Sequence, residues 1–169
     1  ELVDAGKANP EKIKFSSSGI ASDNHLANLL FQKMANVKFT IVNVDSGAQQ
    51  VTVLLGGHVD ANLMTPGTLI PQVKSGEIRL LGYMDKQRSK FFPDVPTFEE
   101  QGYKIYYGSS RGVSVPAGTP KEIVDILSSA IKRAMEQDEH KKKMDEMALP
   151  LRYMDSAEYA AYWDEFDVQ

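Results

Sequence analysis

Lys14-Phe-Ser-Ser-Ser-Gly-Ile-Ala-Ser-Asp-Asn-His-Leu-Ala27 is the stretch of this chain that decides its fold. A short apolar strand runs into a turn rich in serine and glycine, and a helical pattern begins directly behind the turn. Such a turn directs unpaired main-chain N–H groups and hydroxyls towards one point beside the positive end of a helix dipole. The stretch therefore predicts a site for a small carboxylate or phosphate that needs no lysine or arginine.

The same turn also has a purely structural interpretation. A serine before a helix commonly caps it, so Ser22 or Asp23 could simply satisfy the first amides of the helix. The binding interpretation instead uses the whole turn as a set of hydrogen-bond donors, three or four of which could hold a small acid. Its candidate ligand-binding residues are Ser17, Ser18, Gly19, Ile20, Ala21 and Ser22.

A second turn of the same kind is Asp45-Ser-Gly-Ala-Gln49. Loops at the carboxyl ends of neighbouring parallel strands come together, and ligands of open α/β sheets bind there. Asp45 would repel an anion unless it points away or bonds a ligand hydroxyl or ammonium. The candidates for this second wall of the site are Ser46, Gly47 and Ala48, with Thr65 at the end of the next strand.

Strand and helix patterns alternate through the first two thirds of the chain. Strands are predicted at 13–16, 39–44, 59–64 and 78–83, and helices at 24–35, 47–55 and 67–74. This rhythm with short connections predicts an α/β fold whose parallel-rich sheet is covered by helices. Thr97 and Glu100 form a capping-box pattern in the segment that follows.

The rest of the chain has a different texture, with a boundary predicted near residues 107–112. Two strand-like pieces flank 108–112, and a capping box at Thr119–Glu122 precedes a long amphipathic helix. A charged helix at 136–147, a short strand at 149–153 and a final helix follow. The final helix carries an aromatic stripe for core packing, made of Tyr159, Tyr162, Trp163 and Phe166.

Composition excludes several functions. The chain has 169 residues, 42% hydrophobic and 25% charged, and no cysteine, so it forms no disulfide and no thiolate metal site. Its net charge of −4 comes entirely from residues 111–169, with 8 Lys/Arg against 12 Asp/Glu. No basic stripe indicates a nucleic-acid partner, no apolar run is long enough to span a membrane, and no metal or other cofactor is predicted. The histidines His25, His58 and His140 lack metal-ligand spacing.

An enzyme is the main alternative. Ser22 and His25 could form a nucleophile–base pair around the anion site, but three-residue spacing at a helix start is weak evidence and there is no G-x-S-x-G elbow. We therefore predict no catalytic residue and no enzymatic activity. A third hypothesis is the ligand-sensing lobe of a transcription regulator, which would need a DNA-binding segment upstream. The sequence leaves both alternatives open.

Four further patterns lead to a known family. The order along the chain is Glu1-Leu2 with Ala8-Asn9-Pro10, then Ser17-Ser-Gly19 with Ser22 and His25-Leu-Ala27, then Leu54-Leu-Gly-Gly57 with Val59-Asp60, and finally Arg88 with Pro93-Asp-Val-Pro-Thr97, Glu100, Gly102 and Pro116-Ala-Gly-Thr-Pro120. In this order the chain resembles the receptors of tripartite tricarboxylate transporters, also called the Bug family of periplasmic solute-binding proteins. The resemblance covers almost the whole chain.

The resemblance implies a type 2 periplasmic-binding fold with two lobes that close on a ligand. It implies that residues 1–108 form the second lobe, that residues 109–169 form the crossover and the returning part of the first, and that the N-terminal half of the first lobe is missing. The chain is then expected to be a C-terminal fragment of a periplasmic receptor. Its ligand would be a di- or tricarboxylate or an amino acid, and its partner a membrane permease.

The chain departs from the family pattern at points that bear on the ligand. Ala21 stands where a further glycine is usual, and Val44 and Ser46 stand where tyrosine and glycine are common. Near the crossover, Gly108-Ser-Ser-Arg111 replaces a tryptophan region. Arg111 could pair with a second carboxylate or be a surface charge, and the second interpretation is slightly favoured.

Overall fold

A computed structural model describes residues 1–167, with side chains as far as Asp164. The chain forms two compact units, Glu1–Ser110 and the chain from Arg111 onward. The division falls within the segment where the sequence pattern changes. Within the described residues, no helix has the length and apolar character that crossing a bilayer requires.

The first unit contains a parallel sheet, as predicted, with three of the four predicted strands. The strands are β1 (Lys14–Ser17), β2 (Thr40–Asn43) and β3 (Ala61–Asn62), in the order β2-β1-β3. Ser17 pairs with Asn43 on one side, and Ser16 pairs with Asn62 on the other. The strand that leads into the serine-rich turn is therefore the central one.

Helices connect the strands and cover the sheet. The helices of the first unit are α1 (Leu2–Ala8), α2 (Asp23–Ala35), α3 (Gly47–Leu55) and α4 (Ile70–Lys74), and a 3₁₀ turn at Pro66–Leu69 precedes α4. The connection from β1 to β2 passes through α2, and that from β2 to β3 passes through α3. Because such crossovers are right-handed and the two run in opposite directions, α2 and α3 cover opposite faces.

The core lies on the α2 side of the sheet and is mainly aromatic. Phe31 of α2 is its centre, with ring centroids 5.8 Å from Phe39 and 5.0 Å from Phe98. Phe15 of β1 lies 4.7 Å from Phe39 and is 1% exposed. Gly6 allows α1 to approach, since a Cβ there would lie 2.6 Å from the Phe39 ring. The strand preceding the serine-rich turn is thus anchored by its phenylalanine.

The predicted fourth strand at 78–83 is wrong. Only Tyr83 pairs with another segment, through an isolated bridge to Thr97. The Thr97–Glu100 capping pattern is present: the Thr97 amide donates to Glu100 Oε2 at 2.7 Å, and the Glu100 amide donates to Thr97 Oγ1 at 3.1 Å. Arg88 Nε donates to both Glu100 oxygens, at 3.0 and 2.9 Å. These bonds fold 83–100 into a closed loop in place of a sheet strand.

The second unit is helical, with α5 (Lys121–Met135), α6 (Asp138–Glu146) and α7 (Ser156–Asp167). The strands predicted at 105–115 and 149–153 are absent from the described residues. The capping box at Thr119 is also wrong, because the Thr119 hydroxyl donates back to the Pro116 carbonyl and Pro120 is the N-cap. Asp155 does cap α7, since its Oδ1 accepts from the amides of Ala157 and Glu158 at 2.9 Å.

The apolar face of α5 is open to solvent. Ile126 is 62% exposed and Leu127 40% exposed, and no residue of the helix is buried. In α7, Trp163 is 53% exposed, so core packing of the aromatic stripe is not observed there. The Phe166 side chain lies outside the described residues. The second unit therefore leaves apolar surface uncovered within the part of the chain that the structure describes.

Candidate functional site

The turn after β1 is shaped by two residues with positive φ. Gly19 has φ of 129° and Ala21 has φ of 61°, so the chain doubles back before the helix begins. Ser22 is the N-cap of α2, and its hydroxyl accepts from the His25 amide at 3.4 Å. The structural interpretation of Ser22 as a cap is therefore correct, and it is compatible with a binding role for the rest of the turn.

The main-chain amides of Gly19, Ile20 and Ala21 are the open donors of this turn. Among the described residues, none of these three amides donates to an internal acceptor. Ile20 is 81% exposed, and the tip of the turn is open to solvent. They lie beside the N-terminus of α2, a 13-residue helix whose dipole favours a negative group there. The arrangement can accept an anion without a cationic side chain.

The serine hydroxyls are used differently from the amides. Ser17 is 0% exposed, and its Oγ donates to the Gly19 carbonyl at 2.9 Å, so in this structure it supports the turn from within. Ser22 Oγ lies 2.7 Å from the same carbonyl. Ser18 is half-buried, with its Oγ 3.3 Å from Asn24 Oδ1. Of the three serines, Ser18 and Ser22 are half-buried and only Ser17 is fully buried.

Asn24 is a member of this site that the sequence analysis missed. Its Oδ1 lies 2.6 Å from Ser22 Oγ, 3.4 Å from Ser17 Oγ and 3.3 Å from the main-chain nitrogen of Ser18. An asparagine at the second position of a helix gives no pattern that distinguishes this inward contact from exposure to solvent. Only the doubled-back turn brings the donors around its oxygen.

The second turn is a capped helix start. Ser46 Oγ accepts from the Gln49 amide at 3.2 Å, and Gln49 Oε1 accepts from the Asp45 amide at 2.8 Å. Asp45, Ser46 and Ala48 are exposed, and Gly47 lies beside Met64, which would be 3.9 Å from a Cβ at that glycine. The turn is thus accessible, with its own amides partly satisfied.

The two turns leave the same edge of the sheet. The Val44 amide donates to the Ser17 carbonyl at 2.8 Å, which continues the pairing of β1 with β2 up to the start of both turns. Thr65 follows β3, on the other side of β1, and is exposed. Its carbonyl accepts from the Thr68 hydroxyl at 2.7 Å. All three turns therefore follow the carboxyl ends of parallel strands, as ligand sites of such sheets do.

Buried polar groups without partners lie near the ends of these strands. Gln50 is 0% exposed, and neither the nitrogen nor the oxygen of its side-chain amide has a partner among the described residues. Ser16 Oγ and Asn62 Nδ2 are also buried atoms without a partner among the described residues. Ser16 and Asn62 are paired positions of β1 and β3. Nothing in the sequence indicated these groups, because each side chain alone is compatible with exposure.

The electrostatics of the first turn depend on Asp23. Its carboxylate would oppose an anion, but Oδ2 accepts from the Ser109 hydroxyl and Oδ1 accepts from the Asn24 amide at 2.8 Å. Burial raises the pKa of Tyr107, and the Asp23 charge raises it further. The carboxylate is thus engaged by neighbouring donors of the same unit. Arg111 is exposed and belongs to the second unit.

The enzyme hypothesis gains no support from the geometry. The recorded contact between Ser22 and His25 runs through the His25 main-chain amide, and His25 Nδ1 is buried without a partner among the described residues. The described residues also contain no group of His, Asp and Glu side chains that could hold a metal ion. What the site offers is a set of hydrogen-bond donors for a small anion.

The fold and the position of these turns define a class: an α/β unit of the type 2 periplasmic-binding-protein kind, with three turns at one edge of a parallel sheet. A crystal structure of a TctC solute-binding protein from Polaromonas without ligand matches 97% of this chain and 56% of that one, with a TM-score of 0.81 and 26% identity. The structure of R. palustris Rpa4515 with adipate matches 97% and 55%, with a TM-score of 0.80 and 25% identity.

Residues 1–166 match the family described as the tripartite tricarboxylate transporter family receptor, TctC, and the chain belongs to this family. A relative, the UPF0065 protein in the gbd 5' region of Cupriavidus necator, is 33% identical over 162 residues, which are 96% of this chain and 49% of the relative. The chain therefore spans about half the length of the proteins that it matches.

Proposed function

We propose that this chain is the ligand-binding part of an extracytoplasmic receptor that captures a small carboxylate and delivers it to a membrane transporter. The observation that carries the proposal is the set of open amides of Gly19, Ile20 and Ala21 at the N-terminus of α2, on the same sheet edge as the second turn. Membership of a receptor family and the adipate held by a relative with the same fold support it.

The roles within the site follow from accessibility. The amides of 19–21 and the hydroxyls of Ser18 and Ser22 hold one carboxylate, and Ser17 supports them from the buried side. Ser46, Gly47, Ala48 and Thr65 line the neighbouring wall. A carboxylate accepting charge-assisted bonds from such donors gains roughly 1.5–3 kcal/mol for each bond. Several bonds therefore suffice without a cationic residue.

The test compares adipate with its neutral diamide in isothermal titration at constant ionic strength. We expect adipate to bind and the diamide not to bind, because the site selects negative oxygens. Ser18→Ala should weaken adipate binding about tenfold or more, which is the factor for one charge-assisted bond. The matched control is Ser75→Ala, since the Ser75 hydroxyl makes local contacts at the end of α4 and should not matter. Equal binding of adipate and diamide, or no binding of either, would refute the proposal.

The division of labour between the two units is also part of the proposal. Residues 1–108 form the second lobe of the receptor, and residues 109–169 form the crossover and the returning part of the first lobe. The exposed apolar face of α5 supports this, as does the double length of the matched relatives. That face is covered, in this proposal, by the remainder of the first lobe.

A complementation experiment tests the lobe assignment. The N-terminal half of a full-length relative is added to this chain, and hydrogen exchange of α5 is followed. We expect α5 amides to become protected, and Ile126→Glu to abolish the protection because a charge replaces a packed side chain. Lys132→Glu is the control on the same helix. Unchanged exchange of α5 would count against the assignment.

Delivery and location complete the proposal. The match to a receptor family of tripartite transporters supports a membrane permease as the partner of the loaded receptor and the periplasm as its compartment. Uptake of labelled adipate by cells that carry the cognate permease should depend on this protein. Uptake that persists after deletion of the protein would show that delivery has another carrier.

A further inference from the structure

The side-chain oxygen of Asn24 is neutral and is surrounded by hydrogen-bond donors of the proposed carboxylate site. Three donor groups lie within 3.3 Å of Asn24 Oδ1: the hydroxyls of Ser18 and Ser22 and the main-chain N–H of Ser18. The Ser17 hydroxyl lies 3.4 Å from the same oxygen and donates instead to the Gly19 carbonyl. An amide oxygen has two lone pairs, whereas an ionised carboxylate offers about four acceptor sites over two oxygens. The donor set is therefore larger than the acceptor that occupies it.

The distances agree with this mismatch. Only the Ser22 hydroxyl lies close to Oδ1, at 2.6 Å, and the two Ser18 donors both lie at 3.3 Å. The Ser22 proton is also within reach of the Gly19 carbonyl at 2.7 Å, so one proton serves two acceptors. Asn24 is half-buried and lies in the first turn of α2.

We propose that, in the empty site, Asn24 Oδ1 occupies the position of one oxygen of the ligand carboxylate, and that ligand binding displaces it. This inference rests on the proposed function. Displacement lets the ligand take the Ser18 amide and the Ser18 and Ser22 hydroxyls, in addition to the amides of 19–21. Asn24 thereby lowers the affinity of the site, because its side chain and the ligand compete for the same donors.

Substitution of Asn24 with alanine should change the Kd for adipate in the direction opposite to that of a substitution at a residue that only supports the turn. Asn24→Ala removes the competitor, and the Kd for adipate should fall about fivefold, the factor for one net hydrogen bond. Asn24→Asp keeps the shape but places a fixed charge among the donors, and the Kd should rise at least tenfold. A residue that only supports the turn would give weaker binding on change to alanine.

The experiment is an NMR titration of the whole chain with adipate, and with sodium acetate as the minimal carboxylate. In the unsubstituted protein the Ser18 main-chain amide and the Asn24 side-chain NH₂ should shift together as the side chain leaves. Asn9→Ala, an exposed asparagine at the end of α1, is the matched control and should leave the Kd unchanged. The spectra of the variants also report whether each is folded.

The outcomes separate the two proposals. Tighter binding by Asn24→Ala with coupled shifts supports the inference. Binding by the unsubstituted protein, with equal or weaker binding by Asn24→Ala, overturns the role of Asn24 and leaves the proposed function standing. No response of the unsubstituted protein to either carboxylate overturns the proposed function and this inference with it.

Discussion

Replacing Ala21 with glycine should stabilise the first unit. Ala21 has φ of 61°, in the left-handed region, which costs a residue with a Cβ roughly 1–2 kcal/mol. Glycine removes that cost but loses about 0.5–1 kcal/mol more backbone entropy on folding than alanine does. The Ala21 methyl is exposed, so its removal sacrifices little packing. The net expectation for Ala21→Gly is a gain of about 0.5–1 kcal/mol.

Hydrogen exchange of the β1 amides measures this gain, because it reports opening of the first unit alone. The expected result is exchange about two- to fivefold slower than in the unsubstituted protein. Ala5→Gly is the matched control: Ala5 is exposed inside α1, where glycine lowers stability by roughly 0.5–1 kcal/mol and should speed exchange. Both substitutions remove one exposed methyl and differ only in backbone conformation.

One result would refute the reasoning. If Ala5→Gly accelerates exchange as expected while Ala21→Gly leaves it unchanged or accelerates it, the left-handed residue carries no relievable strain. The turn would then owe its shape to the bonds around Asn24 alone. The same sample also shows whether a more flexible residue in the turn weakens adipate binding, since freedom at position 21 adds an ordering cost on binding.

Three further predictions concern stability. Phe31→Ala removes the ring at the centre of the aromatic core and should lower the free energy of unfolding by about 3–5 kcal/mol in urea titrations, and a loss below about 1 kcal/mol would contradict that central position. The hydrogen bond from Arg88 lowers the pKa of Glu100 below the ordinary value of a glutamate, so this stabilisation is present above the unfolded pKa and lost as pH falls through the folded one. The urea midpoint of Arg88→Ala should therefore fall less on acidification than that of the unsubstituted chain, and parallel curves would exclude the linkage. Gln50→Met should raise the midpoint of thermal unfolding by removing a buried unpaired amide, and a lower midpoint would show that the amide is bonded.

Local patterns predicted the alternating elements well, because the apolar spacing of α2 and α3 is decided within each helix. Helix α3 has its predicted bounds, and β1 and β2 differ from the prediction by one residue at each end. The segment 78–83 failed for a physical reason. Its apolar residues suit an extended chain, but the Tyr83 amide donates to the Pro96 carbonyl and the Tyr83 carbonyl accepts from the Phe98 amide, both in a loop instead of a sheet strand. Whether the segment 78–83 pairs with a sheet strand or with a loop depends on residues that are distant in the sequence.

The site was predictable as a place and less so as a set of contacts. Serine and glycine before a helix located the turn, and Ser22 and Ser46 are caps, as their positions suggest. The burial of Ser17 and the inward Asn24 depend on the positive φ of Gly19 and Ala21, which no spacing pattern contains. Side-chain direction in a turn follows from its dihedral angles, so it emerges only with the fold.

The central position of β1 in its sheet has an evolutionary consequence. The strand β1 is hydrogen-bonded to a neighbour on each side, and its Phe15 is buried in the core. It is therefore the most rigid support that the first unit offers. Ile20 and Ala21, at the tip of the turn that follows β1, are exposed and lie outside the buried core. Under the proposed function, substitutions at those exposed positions can change the preferred carboxylate while the core beneath them is unchanged.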